Sequence, residues 1–170
     1  MLEECLVTEE LAYGCSGIST AMGVNGLAIL PILIAGTEAQ KQEYGGRLAD
    51  GQMAAYCLTE PEAGSDVAGI KPKPVKRATI IFWMAAKLFY HWGHRRQFLY
   101  RICLYRPRGV RYKGMSCFIV ERDWEGVSVG KPFDKLGQHA SDAAEVVFDG
   151  VKVPETHLFR GLRELVLSPP

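Results

Sequence analysis

The spacing of apolar residues changes period near Gly51, and this limits the chain to a helical region followed by a region of strands. Before that point Leu2, Leu6 and Leu11 recur near helical spacing, with Glu3, Glu4, Glu9 and Glu10 mostly elsewhere around the turn. Gly14-Cys15-Ser16-Gly17 predicts a stop. Residues 18–35 then predict a second helix, enclosed on most sides because it lacks a polar face, with Pro31 expected to kink it. This stretch reaches membrane-spanning length only when Ser19, Thr20, Asn25 and two glycines are counted in, which favours a buried core helix. Thr37 and Gln40 have capping-box spacing and predict a third helix from Glu38 to about Leu48, although Gly45 and Gly46 work against it. Beyond Gly51, MAAYCL (53–58), SCFIV (116–120), residues 127–129 and AEVVF (144–148) read as strands. Asp149-Gly150 between AEVVF and VKV predicts a hairpin. The fold class is α+β: helices over 1–51, a β domain over 52–160 and a short tail over 161–170.

Composition excludes less than it permits. A chain of 170 residues can bury one sizeable core or parts of two, and 48% apolar with 23% charged residues is ordinary for a soluble protein. A net charge of +1 gives no bulk reason to expect nucleic acid or membrane as a partner. Five irregularly spaced cysteines without a C-x-x-C pair argue against a disulfide framework or zinc site and favour a reducing compartment. The acidic start has no basic flank before an apolar run, unlike a signal or transit peptide.

The segment with chemistry is TEPEAGSD, Thr59 to Asp66, which follows the first expected strand. Pro61 fixes local geometry, and Gly64 lets a ligand approach the backbone closely. The hydroxyls of Thr59 and Ser65 can donate to or accept from a flavin edge or a phosphate, and the amides near Gly64 and Ser65 could form an anion-binding concavity. A plain surface turn is the competing interpretation of these residues.

A wider match favours the ligand loop. AYCLTEPEAGSDVAGIK (55–71) resembles the signature of acyl-CoA dehydrogenases, with Glu62 where a glycine is commoner. EELAYGCSG and GTEAQKQEY resemble the end of that family's N-terminal helical domain in its medium-chain members. The segment from GMSCFIV to PETHLF resembles the middle β domain, a barrel or sandwich. The resemblance implies α,β-dehydrogenation of a fatty acyl-CoA in β-oxidation. The implied cofactor is FAD, lying along Tyr56, Cys57, Leu58, Thr59, Gly64 and Ser65, with Ser65 also on the acyl-CoA side. It implies electron-transfer flavoprotein as electron acceptor, a homo-oligomer in the full-length family, and no nucleic-acid or membrane partner. The implied location is the mitochondrial matrix in a eukaryote or the cytoplasm in a bacterium. The family's catalytic glutamate belongs to a C-terminal helical domain with no counterpart here, so no residue of this chain is assigned the catalytic role. The stretch is expected to be inactive alone.

One span departs from the family. From Val67 to Val120 there is no Asp or Glu, whereas 12 of the 20 Lys and Arg fall there, so surface charge is not distributed as in an ordinary domain. Phe89-Tyr90-His91 stand where the family has a W-I-T-like tripeptide whose threonine contacts flavin. Read in shifted frames, the codons of residues 77–107 can spell the expected family text, including that threonine. Frame slippage is therefore the reading adopted for this span, and the tail 160–170 resembles it; the nucleotide sequence over codons 75 to 110 decides the matter. The alternative function is a non-catalytic binding protein whose basic and aromatic segment 77–113, with Arg95 and Arg96, contacts nucleic acid. His91 and His94 form only a weak metal motif without nearby carboxylates, so no metal site is expected.

Overall fold

The computed structural model describes residues 2–61, 63–66, 80–82, 86–90, 98–104 and 115–159, with backbone alone for 80–82, 86–90, 98–104, 115–116 and 155. Helix α1 (Leu2–Ala35) bends at Cys15, whose φ of −162° and ψ of 111° break the helical path where the Gly-Cys-Ser-Gly run predicts a stop. Pro31 lies inside the helix. Apart from Ser19, the buried residues of α1 are a stripe through Gly17, Val24, Ala28, Ile32 and Ala35, at spacings built from three- and four-residue steps that put side chains on one face. Met22, Leu27, Leu30, Leu33 and Ile34 are exposed, so the expected enclosure on most sides does not occur among the described residues. The residues that pack are largely small, and they let the backbone come close to its neighbours. A Cβ on Gly17 would lie 3.2 Å from that of Ala140, and Thr20 Oγ1 donates to Gln138 Oε1 at 3.4 Å.

Helix α2 (Glu38–Ala49) begins at the expected capping box. Thr37 N–H donates to Gln40 Oε1 at 2.9 Å, and Gln40 N–H donates to Thr37 Oγ1 at 3.3 Å. The two glycines are tolerated because the cap and the Tyr44 contact with the core outweigh about 1 kcal/mol of lost helix propensity at each.

The strands are β1 (Ala54–Cys57), β2 (Ile80–Phe82), β3 (Ala86–Tyr90), β4 (Phe98–Leu104), β5 (Met115–Glu121), β6 (Val127–Pro132), β7 (Ala143–Phe148) and β8 (Val151–Val153). They form three small sheets ordered β1-β4-β5, β2-β8 and β3-β7-β6. Helices followed by strands hold as the architecture, but no closed barrel forms among the described residues. The expected hairpin is also absent, since β7 pairs with β3 and β6 while β8 pairs with β2. Both edges of β7 are already occupied, so the chain turns a corner at Asp149-Gly150 and enters another sheet. Strands form within 77–107, but backbone ladders are blind to side-chain identity and do not decide the reading frame of that span. Residues 91–97, including His91, His94, Arg95 and Arg96, and the tail 160–170 lie outside the described residues.

Strands β1 and β5 of the first sheet are buried on both faces among the described side chains, as period-two alternation requires of a central layer. Ala55, Cys57, Phe118 and Val120 join a core with Val146, Phe148, Val151 and Val153. Ala54, Cys117 and Ile119 face the opposite way, onto Ala28 and Ile32 of α1, Tyr44 of α2 and Phe159.

A polar clamp ties α2 to the end of β5. Arg47 donates to both carboxylate oxygens of Glu121, at 2.7 and 2.9 Å, and its Nε donates to Gln52 Oε1 at 2.7 Å. Gln40 Nε2 donates to the Thr156 carbonyl at 2.8 Å, in a 3-10 turn (Glu155–His157). His157 in that turn packs edge-on to Trp124, with ring centroids 5.0 Å apart. Burial is the main cause that holds the His157 imidazole below its ordinary 6.5; Glu121 and Glu43 pull it upward and Arg47 pushes it further down. The unfolded chain therefore takes up this proton more readily than the folded one. Stability from this group is present above pH 6.5 and is lost as pH falls below it. We expect the melting temperature to fall more between pH 7.5 and pH 5.5 in the parent protein than in His157→Gln. Equal falls in the two proteins would contradict this.

Candidate functional site at the end of the first strand

Strand β1 leads into the loop under strict geometric control. Its two faces enter two different cores, so Cys57 is fully buried, Tyr56 is half-buried and the backbone direction is fixed. Burial, and next the charge of Cys117, push the Tyr56 hydroxyl up to about 12, so it remains a neutral donor at physiological pH. Leu58 and Thr59 are half-buried as the strand ends. Glu60 and Ala63 are buried and close a turn: Glu60 N–H donates to the Ala63 carbonyl at 2.9 Å, and Ala63 N–H donates back at 3.1 Å. Pro61 is exposed at its tip, and Glu62 lies outside the described residues. Gly64, Ser65 and Asp66 follow on the surface.

The predicted site residues thus divide by role. Thr59, Gly64 and Ser65 flank one closed turn and can present polar groups together. Cys57 contributes only backbone, because its thiol belongs to the core. Among the described residues nothing lies within 4 Å of where a Cβ at Gly64 would stand, so their packing does not require a glycine there. An open face beside two hydroxyl-bearing residues suits an extended ligand with aromatic and phosphate portions, and FAD fits that description. Phe89 and Tyr90 stand opposite Ala144 and Ala143 in the β3–β7 register; their side chains and His91 lie outside the described residues.

Sequence reasoning missed two residues that hold this loop in place. Asn25 bonds to the backbone at the start of β1, and Arg47 bonds to the side chain of Gln52 just before it. Asn25 is the one polar side chain in residues 21–35 of α1, and that was the available signal for it. Nothing in the spacing of Arg47 marks its partner, Glu121, which is 74 positions away.

The same stretches match known protein families in chain order. Residues 1–52 match the acyl-CoA dehydrogenase N-terminal domain, and residues 55–151 match the acyl-CoA dehydrogenase middle domain. The chain belongs to the acyl-CoA dehydrogenase family. A probable medium-chain specific acyl-CoA dehydrogenase 2, mitochondrial, of Caenorhabditis briggsae is 37% identical, over 99% of this chain and 40% of its own length. The crystal structure of an acyl-CoA dehydrogenase from Geobacillus kaustophilus superposes with a TM-score of 0.81 at 30% identity, over 95% of this chain and 44% of that one. A Bacillus anthracis acyl-CoA dehydrogenase complexed with FAD superposes with a TM-score of 0.72 at 27% identity, over 88% of this chain and 26% of that one. The chain therefore spans less than half the length of these acyl-CoA dehydrogenases. Its boundary between helices and strands falls where the two family domains meet, at residues 52–55.

Proposed function

We propose that this chain is the flavin-cradling part of an acyl-CoA dehydrogenase that oxidises a fatty acyl-CoA, and that it is inactive alone. The observation that carries this reading is the turn closed between Glu60 and Ala63 at the end of a strand locked on both faces, with Thr59 and Ser65 on either side. The hydroxyl of Thr59 and the neighbouring backbone would hold the flavin edge, and Gly64 and Ser65 would face the pyrophosphate and the acyl-CoA. Bound FAD supplies the hydride acceptor for this chemistry. The chain's own residues bind and orient it, and the hydrophobic layers beneath β1 exclude water from one side. Electron-transfer flavoprotein is the proposed electron acceptor of the whole enzyme. Proton abstraction needs a carboxylate within hydrogen-bond reach of the substrate α-carbon, and we assign no residue of this chain to that step. Dye reduction with octanoyl-CoA should accordingly stay at the free-flavin background for this chain alone.

Titration of purified chain with FAD, read by flavin fluorescence, tests the cradle. Saturable binding is expected, and Thr59→Val with Ser65→Ala should weaken it about tenfold to thirtyfold through loss of two hydrogen bonds. Binding that is unaffected by the double substitution, or no saturable binding, would contradict the assignment.

A further inference from the structure

We infer that Asn25 is a positioning residue for the flavin loop, acting as a one-residue substitute for a neighbouring strand; this rests on the proposed role of the loop in holding FAD. Its side chain lies on α1, yet both ends of its carboxamide bond to the backbone that enters β1. Nδ2 donates to the Gln52 carbonyl at 3.1 Å, and Oδ1 accepts from the Ala54 N–H at 3.1 Å. These two groups flank Met53. In a parallel ladder, one residue on the next strand donates to one backbone position and accepts from the position two further on. The Asn25 carboxamide reproduces that pattern with a single side chain, because it carries a donor and an acceptor side by side.

The consequence reaches the loop through the rigidity of the strand. A strand advances about 3.3 Å per residue, so Thr59 stands roughly 16 Å beyond Ala54. A slip of one residue would exchange the faces of β1. Ala55 and Cys57 would then turn toward the helices, Ala54 and Tyr56 toward the other core, and the turn from Glu60 to Ala63 would shift along the sheet. Among the described residues β1 is an edge strand, paired with β4 on one side. Asn25 supplies a fixed register mark at its entry, from a helix whose Ala28 and Ile32 are themselves fully buried against this sheet. Arg47 also ties this entry, its carbonyl accepting from the Gln52 N–H at 3.0 Å and its Nε donating to Gln52 Oε1 at 2.7 Å, but both bonds stop at Gln52, whereas the Asn25 carboxamide spans Met53 to reach Ala54. An apolar residue at position 25 would suit its surroundings on α1 but would provide neither bond.

The test compares the parent chain with Asn25→Leu, which removes both bonds, and with Asn25→Asp. The latter keeps the acceptor for Ala54 but sets a carboxylate oxygen against the Gln52 carbonyl until it is protonated. Site-resolved amide exchange and FAD titration are measured on each protein. Asn25→Leu should speed exchange at Ala54, Glu60 and Ala63 and weaken FAD binding, each about tenfold, without speeding exchange at Val146 in β7. Asn25→Asp should show the same defects at pH 7.5 and lose them near pH 5, where a protonated carboxyl can donate to Gln52. A purely structural role would speed exchange at Val146 as much as at Glu60, or give Asn25→Asp no recovery at low pH, and either result overturns the inference. If Asn25→Leu changes neither the loop amides nor the affinity while the parent binds FAD, the positioning role falls and the cradle stands. If the parent binds no FAD but the loop amides still respond to Asn25, the cradle falls and the positioning role stands.

Discussion

Arg47→Ala should lower stability by about 3 kcal/mol, because it leaves the Glu121 carboxylate without its guanidinium in a partly buried position. The two side chains are 24% and 16% exposed, so solvent replaces the lost bonds only in part. The substitution also removes the bond to Gln52 and the guanidinium lying 5.2 Å from the Tyr44 ring centroid. Replacing the pair together, Arg47→Met with Glu121→Leu, should recover much of the loss, since no charge is then left behind. Urea denaturation of the two variants and the parent measures this. A loss below about 0.5 kcal/mol for Arg47→Ala, the range of an exposed ion pair, would show that the clamp does not join α2 to β5 energetically.

Gly126→Ala should be comparably damaging for a reason confined to one atom. Gly126 has φ of +89°, in the left-handed region that L side chains rarely adopt. A Cβ there would overlap the Asp149 carbonyl oxygen, in a place where Asp149 N–H already donates to the Gly126 carbonyl at 2.8 Å. Neither partner can move without opening the corner between β7 and β8, so a loss of about 3 kcal/mol is expected. Gly46→Ala provides the contrast. It lies exposed within α2, with nothing within 4 Å of the new Cβ, and should stabilise by about 0.5–1 kcal/mol. The same chemical change should thus have opposite signs at the two sites. A neutral Gly126→Ala would mean that the corner is not built around this glycine.

Local signals in the sequence were read correctly where they act locally. The Thr37–Gln40 capping box starts α2 where its spacing predicts, and the Gly-rich run at 14–17 coincides with the bend at Cys15. Alternating runs became β1, β5, β7 and β8 within a residue of their ends, and β6 runs three residues beyond its expected end at Val129. What failed depended on contacts distant in sequence. An Asp-Gly turn permits a hairpin, but occupation of both edges of β7 by β3 and β6 forbids it. A helix without a polar face suggested enclosure, yet only its small-residue stripe meets the sheet and loop. At the proposed site, Thr59, Gly64 and Ser65 are candidates on residue type alone, because loop chemistry is written there. Asn25 is not, because its role depends on where α1 crosses the entry to β1.

The turn after β1 is proposed to hold a flavin. Amide exchange mapped residue by residue, with and without saturating FAD, tests it most directly. Slower exchange is expected, confined to Leu58, Thr59 and residues 63–65, with β6 and the Asp149-Gly150 corner unchanged. Unchanged exchange at those loop amides, or protection centred elsewhere in the chain, would contradict it.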